Sequence, residues 1–268
     1  MGICPNAYYN YLKHRKADYC TKKEEILGTI KTIYHEHSGV DGYRSMQVFL
    51  KRKGYQLSRT TVHKYMNREL KLFSVVRRKR PGYTHGKPHK VFENLIKQDF
   101  SSDAANRKWC TDFTFLYLAD GNVRYNCSII DLHDRSVVAS VTGRNMTSAL
   151  AIRTVDKALA SQPGNIRNLI LHSDQGTQYT SKEFTEYCKL RGITQSMSKA
   201  GYPYDNAPME RYFNTLKNEK TNLHIYHTEE ELFKDVNDFA YVWYNHIRPH
   251  SADGYMTPFE ARYRIRNY

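Results

Sequence analysis

Apolar positions recur every three or four residues in three segments of the first 70 residues. This spacing predicts a helix that starts at Thr21, with Glu24 completing a capping box, and a second helix over YRSMQVFLKR. A third helix starts at the N-cap Ser58, after a turn that contains Gly54. The side chains expected inside are those of Ile26, Leu27, Ile30, Ile33, Tyr34, Met46, Val48 or Phe49, Leu50, Val62, Tyr65 and Met66.

Two short helices joined by a glycine-containing turn are typical of a helix-turn-helix, whose second helix enters the major groove of DNA. A plain three-helix bundle with a polar surface would show the same pattern. Because the third helix begins with polar and basic side chains, we expect residues 1–76 to be a small all-α DNA-binding region. Its expected DNA contacts are Arg44, Arg59, Thr60, Thr61, Lys64 and Asn67.

After Trp109 the apolar period changes from helical spacing to alternation. The runs WCTDFTFLYL, VRYNCSIIDL and RSVVASVTG predict three antiparallel strands, separated by ADGN and by His133–Asp134. Helices and short strands then alternate, which gives the order βββαβαβα for residues 107–268 and a helical tail. Helix starts are expected near Thr147, at a Thr180–Glu183 capping box, near Asn206, at a Thr228–Glu231 box and at Thr257.

Positive charge is concentrated in the first part of the chain. The protein has 41 Lys and Arg against 27 Asp and Glu, a net charge of +14. Residues 1–108 hold 23 of these cations and 9 of the anions, and the remaining residues hold 18 of each. Such asymmetry indicates a polyanionic partner, most often nucleic acid, although a generally basic soluble surface would also produce it. The basic segment Arg77, Arg78, Lys79 and Arg80 opens a predicted linker, residues 77–106, whose charges would lie along phosphates.

The composition excludes several classes of protein. No run of about 18 apolar residues and no apolar leader is present, so we expect a cytoplasmic protein without a membrane partner. The five cysteines are scattered and form no C-x-x-C pair, which argues against disulfides and a structural zinc site.

Three acidic residues stand at unusual places. Asp112 interrupts the first strand on the face of Cys110 and Leu116, Asp174 ends a short apolar strand, and Glu210 lies in the first turn of a helix. An acid among apolar neighbours is costly unless a cation compensates it. Three hard oxygen donors suit Mg²⁺ or Mn²⁺ rather than zinc. Each acid alone could equally be an ordinary turn or surface residue.

The spacing of these acids resembles the acidic triad of the retroviral-integrase superfamily, with 61 residues between the first two and 35 between the last two. Four sequence motifs resemble those of the transposases of the third insertion-sequence family, specifically their second-reading-frame product. They are WCTDFTF, LHSDQGTQYTS, DNAPMERYFNTLKNE and YNHIRPH. The resemblance runs from about residue 20 to the end.

This resemblance implies an α/β, RNase H-like fold: a mixed five-stranded sheet flanked by helices, preceded by the helix-turn-helix region. It implies two Mg²⁺ ions held by Asp112, Asp174 and Glu210, with cleavage and strand transfer at insertion-sequence ends. Lys217, two helical turns after Glu210, also matches the family and would stand beside the metals. Phosphate contacts or stacking on the DNA end are expected from Gln178, Tyr179, Lys199, Tyr204 and Asn206.

The expected partners are double-stranded DNA, at terminal inverted repeats and at the target, and further copies of the chain on that DNA. The family also implies an upstream-frame protein as fusion or partner, and a nucleoid-associated location. Two other functions fit some residues. A tyrosine-nucleophile recombinase could recruit Arg248 and His250, and a catalytically silent DNA-binding regulator would need no metal.

Overall fold

The computed structural model describes residues 15–76, 91–162, 166–199 and 202–264. Two compact units divide the chain. The first comprises Met1–Val76 with Asn267–Tyr268, and the second comprises Arg77–Arg266. Within the described ranges, no helix combines the length and the apolar character needed to cross a membrane.

The first unit is helical. Helix α1 is Arg15–Glu36, α2 is Tyr43–Arg52, and α3 is Arg59–His63, continued by a π-helical turn, Lys64–Glu69. The predicted cap at Ser58 is confirmed, because its hydroxyl accepts the Thr61 N–H at 3.1 Å. The predicted helix start at Thr21 is wrong. The helix already includes the preceding residues, so Thr21 lies inside it and cannot cap it.

The interior of this unit follows the apolar pattern. One face of each helix is buried, and Gly54 takes the left-handed conformation (φ +91°) in the turn between α2 and α3. Because L side chains rarely adopt that conformation, glycine suits this position. The buried side chains are Ile26, Ile30, Ile33, Met46, Phe49, Leu50, Val62, Tyr65 and Met66.

The second unit is built on a mixed five-stranded sheet in the order β3-β2-β1-β4-β5. Strands β1–β3 form an antiparallel meander, and β4 and β5 run parallel to β1. This topology, with helices on both faces, confirms the predicted RNase H-like fold. The strands are β1 Lys108–Tyr117, β2 Val123–Asp131, β3 Val137–Gly143, β4 Ile170–Ser173 and β5 Thr194–Met197.

The helices of the second unit follow in chain order. They are α4 Ser148–Ser161, α5 Thr177–Thr180, α6 Lys182–Leu190, α7 Ala207–Glu219, α8 Glu229–Asp238 with a π-helical continuation Phe239–Ile247, and α9 Pro258–Tyr263. The capping boxes of α8 and α9, at Thr228 and Thr257, are confirmed.

Alternation along β1 sends its side chains into two separate cores. Cys110 and Leu116 pack with α7 and α8 on one face, whereas Trp109 and Phe113 pack with α4 and α6 on the other. Asp112 has the parity of Cys110, so it faces the α7 side. This is the face that the alternating pattern predicted for it.

Three details differ from expectation. Ser181, rather than Thr180, caps α6 by accepting the Phe184 N–H at 3.2 Å, because Thr180 already ends the short helix α5. The β2–β3 connection spans residues 132–136 rather than a two-residue turn. Residues 91–106, expected in the linker, pack against the sheet, and Ile96 is buried in the α7-side core.

Candidate active site

Strands β1 and β4 carry two of the predicted acids: Asp112 lies in the middle of β1, and Asp174 directly follows β4. The parallel pairing joins Lys108 to Ile170, Trp109 to Leu171 and Cys110 to His172. Asp112 stands two residues beyond Cys110, and Asp174 stands two residues beyond His172. Because residues two apart along a strand share a face, Asp112 lies on the face of Cys110, and Asp174 directly follows the neighbouring strand β4. The Asp174 carboxylate acts on Asp112 and raises its pKa.

Helix α7 brings the other two predicted groups. Its apolar residues Met209, Tyr212 and Leu216 are buried in the core that also contains Cys110, so the helix lies against β1. The Asn206 side-chain amide ties the start of the helix to β1, donating to the Thr111 carbonyl oxygen at 3.3 Å. Glu210 lies in the first turn and Lys217 in the last, two turns apart and therefore on one side of the helix.

The charges of Asp174, Glu210 and Lys217 act on Asp112. Burial raises the pKa of Asp112 well above its ordinary value, and the carboxylates of Asp174 and Glu210 raise it further. The Phe113 N–H, which donates to Asp112 at 2.7 Å, and the Lys217 ammonium oppose this rise in pKa. Groups from β1, the β4 end and α7 thus converge on one carboxylate. We call Asp112, Asp174 and Glu210 the acid site.

Burial also governs the two groups beside Asp112. It raises the pKa of Asp174, against the Gly176 N–H that donates to Asp174 Oδ1 at 2.9 Å. It lowers the pKa of Lys217, and the Asp112 carboxylate opposes that fall. An acid whose pKa is raised by neighbouring acids gains from a nearby cation, since a cation favours the ionised form.

The donor chemistry of the acid site fits a divalent cation. It consists of oxygen atoms alone, the ligands that Mg²⁺ and Mn²⁺ prefer, and its charges repel one another. Across the described residues, however, no three acidic, histidine or cysteine side chains lie within common reach of one ion. The three carboxylates therefore influence one another's charge, and in the described conformation they do not form a three-ligand metal site.

Gly176 is a residue of this site that the sequence analysis missed. A side chain there would place its Cβ 2.9 Å from Asp174 Oδ1 and against the Gln178 amide. Only a residue without a Cβ lets the loop close onto the Asp174 carboxylate while its N–H donates to it. The signal was present in the sequence, as a glycine two residues after a strand-terminal acid.

A buried hydroxyl network supports β1 from the opposite face. Thr111 Oγ1 donates to the Ser128 carbonyl oxygen at 3.1 Å and lies 3.0 Å from the Tyr179 hydroxyl. Tyr179 has no exposed surface, and its ring contacts Phe113 and Phe184. Burial raises the pKa of Tyr179 well above its ordinary value. Tyr179 therefore fixes the strand beneath Asp112.

Comparison with known proteins decides the family. Residues 102–203 and 191–258 match integrase core domains, and residues 21–80 match an HTH-like domain. The chain is 31% identical over 255 residues to the putative transposase InsK for insertion sequence element IS150 of Escherichia coli (strain K12), covering 95% of this chain and 88% of that protein. It is 31% identical over 249 residues to the transposase for insertion sequence element IS904 of Lactococcus lactis, covering 91% and 96%. The chain belongs to the insertion-sequence transposases.

The predicted resemblance to these transposases is thereby confirmed. The transposase InsF for insertion sequence IS3A of Escherichia coli (strain K12) is 35% identical over 174 residues, covering 65% of this chain and 59% of that protein. All three predicted acids and Lys217 lie within the segments that match integrase core domains.

The residues expected to hold the DNA end fall into two groups. In the transposase, Lys199 and Tyr204 are exposed on the segment that leads into α7, and Tyr204 is 73% exposed. Tyr202 in the same segment is 58% exposed and was missed by the sequence analysis. Gln178, Tyr179 and Asn206 are buried, and a side chain without exposed surface, such as Tyr179, cannot contact DNA.

The predicted contacts of the helical unit also differ in exposure. Arg44, Arg59, Thr60 and Lys64 are exposed, and Arg59 Nε donates to the Gln47 side chain at 3.3 Å. Thr61 serves the Ser58 cap. Asn67 donates to the Leu72 carbonyl oxygen at 3.0 Å, so its amide stabilises the end of the helix. The predicted contacts Arg77, Arg78, Lys79 and Arg80 lie outside the described residues.

Proposed function

We propose that this transposase cleaves DNA at the ends of its insertion sequence and transfers the strands by phosphoryl transfer. Asp112, Asp174 and Glu210 would hold two Mg²⁺ ions, for which Mn²⁺ could substitute. The observation that supports this proposal is that the carboxylates of Asp174 and Glu210 and the ammonium of Lys217, from two other elements, all act on the charge of Asp112 in β1.

In phosphoryl transfer, the protein mainly positions the reacting DNA strands and stabilises the negative charge on the phosphate. Asp112, Asp174 and Glu210 would each contribute carboxylate oxygens to these ions. Bound divalent ions neutralise charge on the attacking and leaving oxygens. The Gly176 N–H fixes Asp174, the buried network at Thr111 fixes the strand, and Lys217 Nζ supplies a positive charge beside Asp112.

The DNA partners are assigned to different parts of the chain. We propose that exposed side chains of α2 and α3 hold the terminal inverted repeats, and that Lys199, Tyr202 and Tyr204 contact the DNA end and target near the acid site. The transposase would act as a homo-oligomer on nucleoid DNA in the cytoplasm, with the upstream-frame protein as fusion or partner.

Amide variants test the reaction. Asp112→Asn, Asp174→Asn and Glu210→Gln should each stop Mg²⁺-dependent nicking and joining of an oligonucleotide that carries the insertion-sequence end. Binding of that oligonucleotide should persist. Asp120→Asn in the exposed β1–β2 turn and Glu186→Gln on the surface of α6 are matched controls that should keep full activity. Full joining activity in any acid-site variant would remove that residue from the site.

A catalytically silent regulator is the second candidate function, favoured by the absence of a three-ligand cluster among the described residues. It predicts tight binding of the same oligonucleotide without nicking in Mg²⁺ or Mn²⁺. A tyrosine-nucleophile mechanism instead predicts a covalent protein–DNA adduct, which a denaturing gel would reveal and which the acid-site mechanism does not form.

A further inference from the structure

A cavity lies beside helix α7, away from the acid site. It has a volume of about 310 Å³ and is bounded by the start of α7, the end of the π-helical segment and residues 250–252. Three arginines line it, Arg135, Arg211 and Arg248, together with His250. Arg211 is one residue beyond Glu210, and successive helical residues are rotated by about 100°. The cavity and the acid site therefore use different sides of one helix.

Two polar groups at this cavity lack a protein partner. Arg135 donates through Nη2 to the Phe100 carbonyl oxygen at 2.7 Å, while its Nη1 is buried without a hydrogen-bond partner. The Nε2 atom of His250 is likewise buried without a partner, and the residue is only 7% exposed. A buried donor is costly when unpaired, so Arg135 Nη1 marks a place that an anionic ligand would complete, whereas the neutral His250 ring donates to the Tyr244 backbone and leaves Nε2 as an acceptor.

The charges around the cavity favour an anion. Burial, together with Arg248 and Arg135, lowers the pKa of His250 to about 3, so its imidazole is neutral. Glu219 forms a bidentate ion pair with Arg248, with both hydrogen bonds at 2.8 Å, and so neutralises its charge. Arg135 and Arg211 add two further positive charges at the cavity. Asp253 is an acid beside Arg135, and burial together with Asp134 raises its pKa to about 6, against the effect of Arg135. The start of α7 adds the positive end of a helix dipole.

We propose that this cavity binds a phosphate of the DNA backbone, held by Arg135 and Arg211, on a strand segment separate from the scissile phosphate. Planar guanidinium groups suit phosphate oxygens. The proposal rests on the proposed function for its choice of DNA as the source of the phosphate. A DNA segment anchored here would lie along the helix that carries Glu210 and would help to hold the duplex in register.

Salt-dependent binding of a short duplex to the full chain tests the site. Arg211→Gln removes a cation from the cavity, and Ala252→Glu places a carboxylate in its exposed rim. Each should weaken duplex binding, and loss of one phosphate contact should make the slope of log K against log salt less steep by about 0.9. Arg191→Gln, on α6 outside the cavity, is the matched control and should leave affinity and slope unchanged.

The outcomes separate this site from the proposed reaction. Unchanged duplex affinity and slope in both cavity variants would overturn the proposal. If inorganic phosphate bound to the wild type and not to the variants while duplex binding stayed the same, the source would be free phosphate and the DNA assignment would fail. Nicking at saturating DNA should persist in the cavity variants, whereas Asp112→Asn should lose nicking and keep the wild-type salt slope. A wild type that never nicks would refute the reaction alone.

Discussion

Two groups of acids near β1 are held in different ways: buried Asp131 lies opposite Trp109, and half-buried Asp112 lies three residues beyond Trp109 on β1. Asp131, which pairs with Trp109 across the sheet, belongs to the Arg262 cluster of Asp131, Asp134 and Arg262. Asp131 accepts the Asn106 N–H at 2.7 Å, the His133 N–H at 2.9 Å and Arg262 Nη2 at 2.6 Å. In the acid site, Asp112 and Asp174 each accept a local backbone N–H, and the cation acting on Asp112 is a half-buried lysine.

The two groups differ in how their charges are compensated. In the Arg262 cluster, a guanidinium from the C-terminal helix pairs with both carboxylates, and burial and Asp134 raise the pKa of Asp131 against that cation and two backbone N–H groups. In the acid site, burial and then the carboxylates of Asp174 and Glu210 raise the pKa of Asp112, against one backbone N–H and the Lys217 ammonium. Carboxylates that meet mainly other carboxylates are therefore the better candidates for binding a cation.

The largest expected effect is on stability. Arg262→Met would leave the carboxylates of Asp131 and Asp134 buried without their cation, so we expect the free energy of unfolding to fall by about 3–5 kcal/mol. Asp112→Asn, which removes a repelled charge, should leave it unchanged or higher. Urea unfolding of both variants measures the contrast. An Arg262→Met protein as stable as wild type would show that the two clusters do not differ in this way.

Lys217→Gln should come next, as an effect on the reaction alone. Removing the ammonium that acts on Asp112 should slow Mg²⁺-dependent nicking by about 100-fold, the usual cost of losing one charge-stabilising group. The urea midpoint should stay close to that of wild type. Lys182→Gln, whose side chain is 87% exposed on α6, is the matched control. A wild-type nicking rate in Lys217→Gln would place this lysine outside the active site.

Gly176→Ala should have a smaller effect. The added methyl group would lie 2.9 Å from Asp174 Oδ1, and the displaced carboxylate should slow nicking by about tenfold. Gly28→Ala, where no atom lies within 4 Å of the new Cβ, serves as control and should keep the wild-type rate. If the two alanine variants nick equally fast, the glycine does not position Asp174.

The smallest effect is a dependence of stability on pH. The folded-state pKa of Asp112 is raised, so the folded protein binds this proton more tightly, and stability falls as pH rises from about 4 through the folded pKa. In buffer without divalent ions, the urea midpoint of the wild type should therefore drop relative to Asp112→Asn as pH rises. Added Mg²⁺ should reduce this difference between the two urea midpoints. A difference that stays constant with pH would contradict the raised pKa of Asp112.

Local patterns predicted most of the fold because each element carries its own period and cap. Alternation placed Asp112 on the correct face of β1, and the strand-end position of Asp174 predicted its place beside it. The cap of α6 was misassigned because Thr180 and Ser181 are adjacent hydroxyl residues, and both are favoured at the N-cap position. Only the presence of the short helix α5 decides between them.

Contacts between distant residues were not predictable in this way. Arg262 reaches Asp131 across 131 positions of sequence, and nothing near either residue indicates the other. Tyr179, in the polar stretch QGTQYTS, looks like a surface residue and is instead drawn into the core by Phe113 and Phe184. Sequence pattern predicts which side of an element is buried, whereas partners from other elements fix individual polar contacts.

The parallel register of β1 and β4 also bears on how such proteins can diverge. Since three paired residues fix β4 beside β1, the length of chain between Gly143 and Ile170 does not set the positions of Asp112 and Asp174. Insertions there would cost little, because the entropy of closing a loop grows only slowly with its length. A one-residue slip in β4 would instead turn Asp174 to the opposite face. We therefore expect related proteins to differ in the length of this connection but to keep the register of β4 against β1.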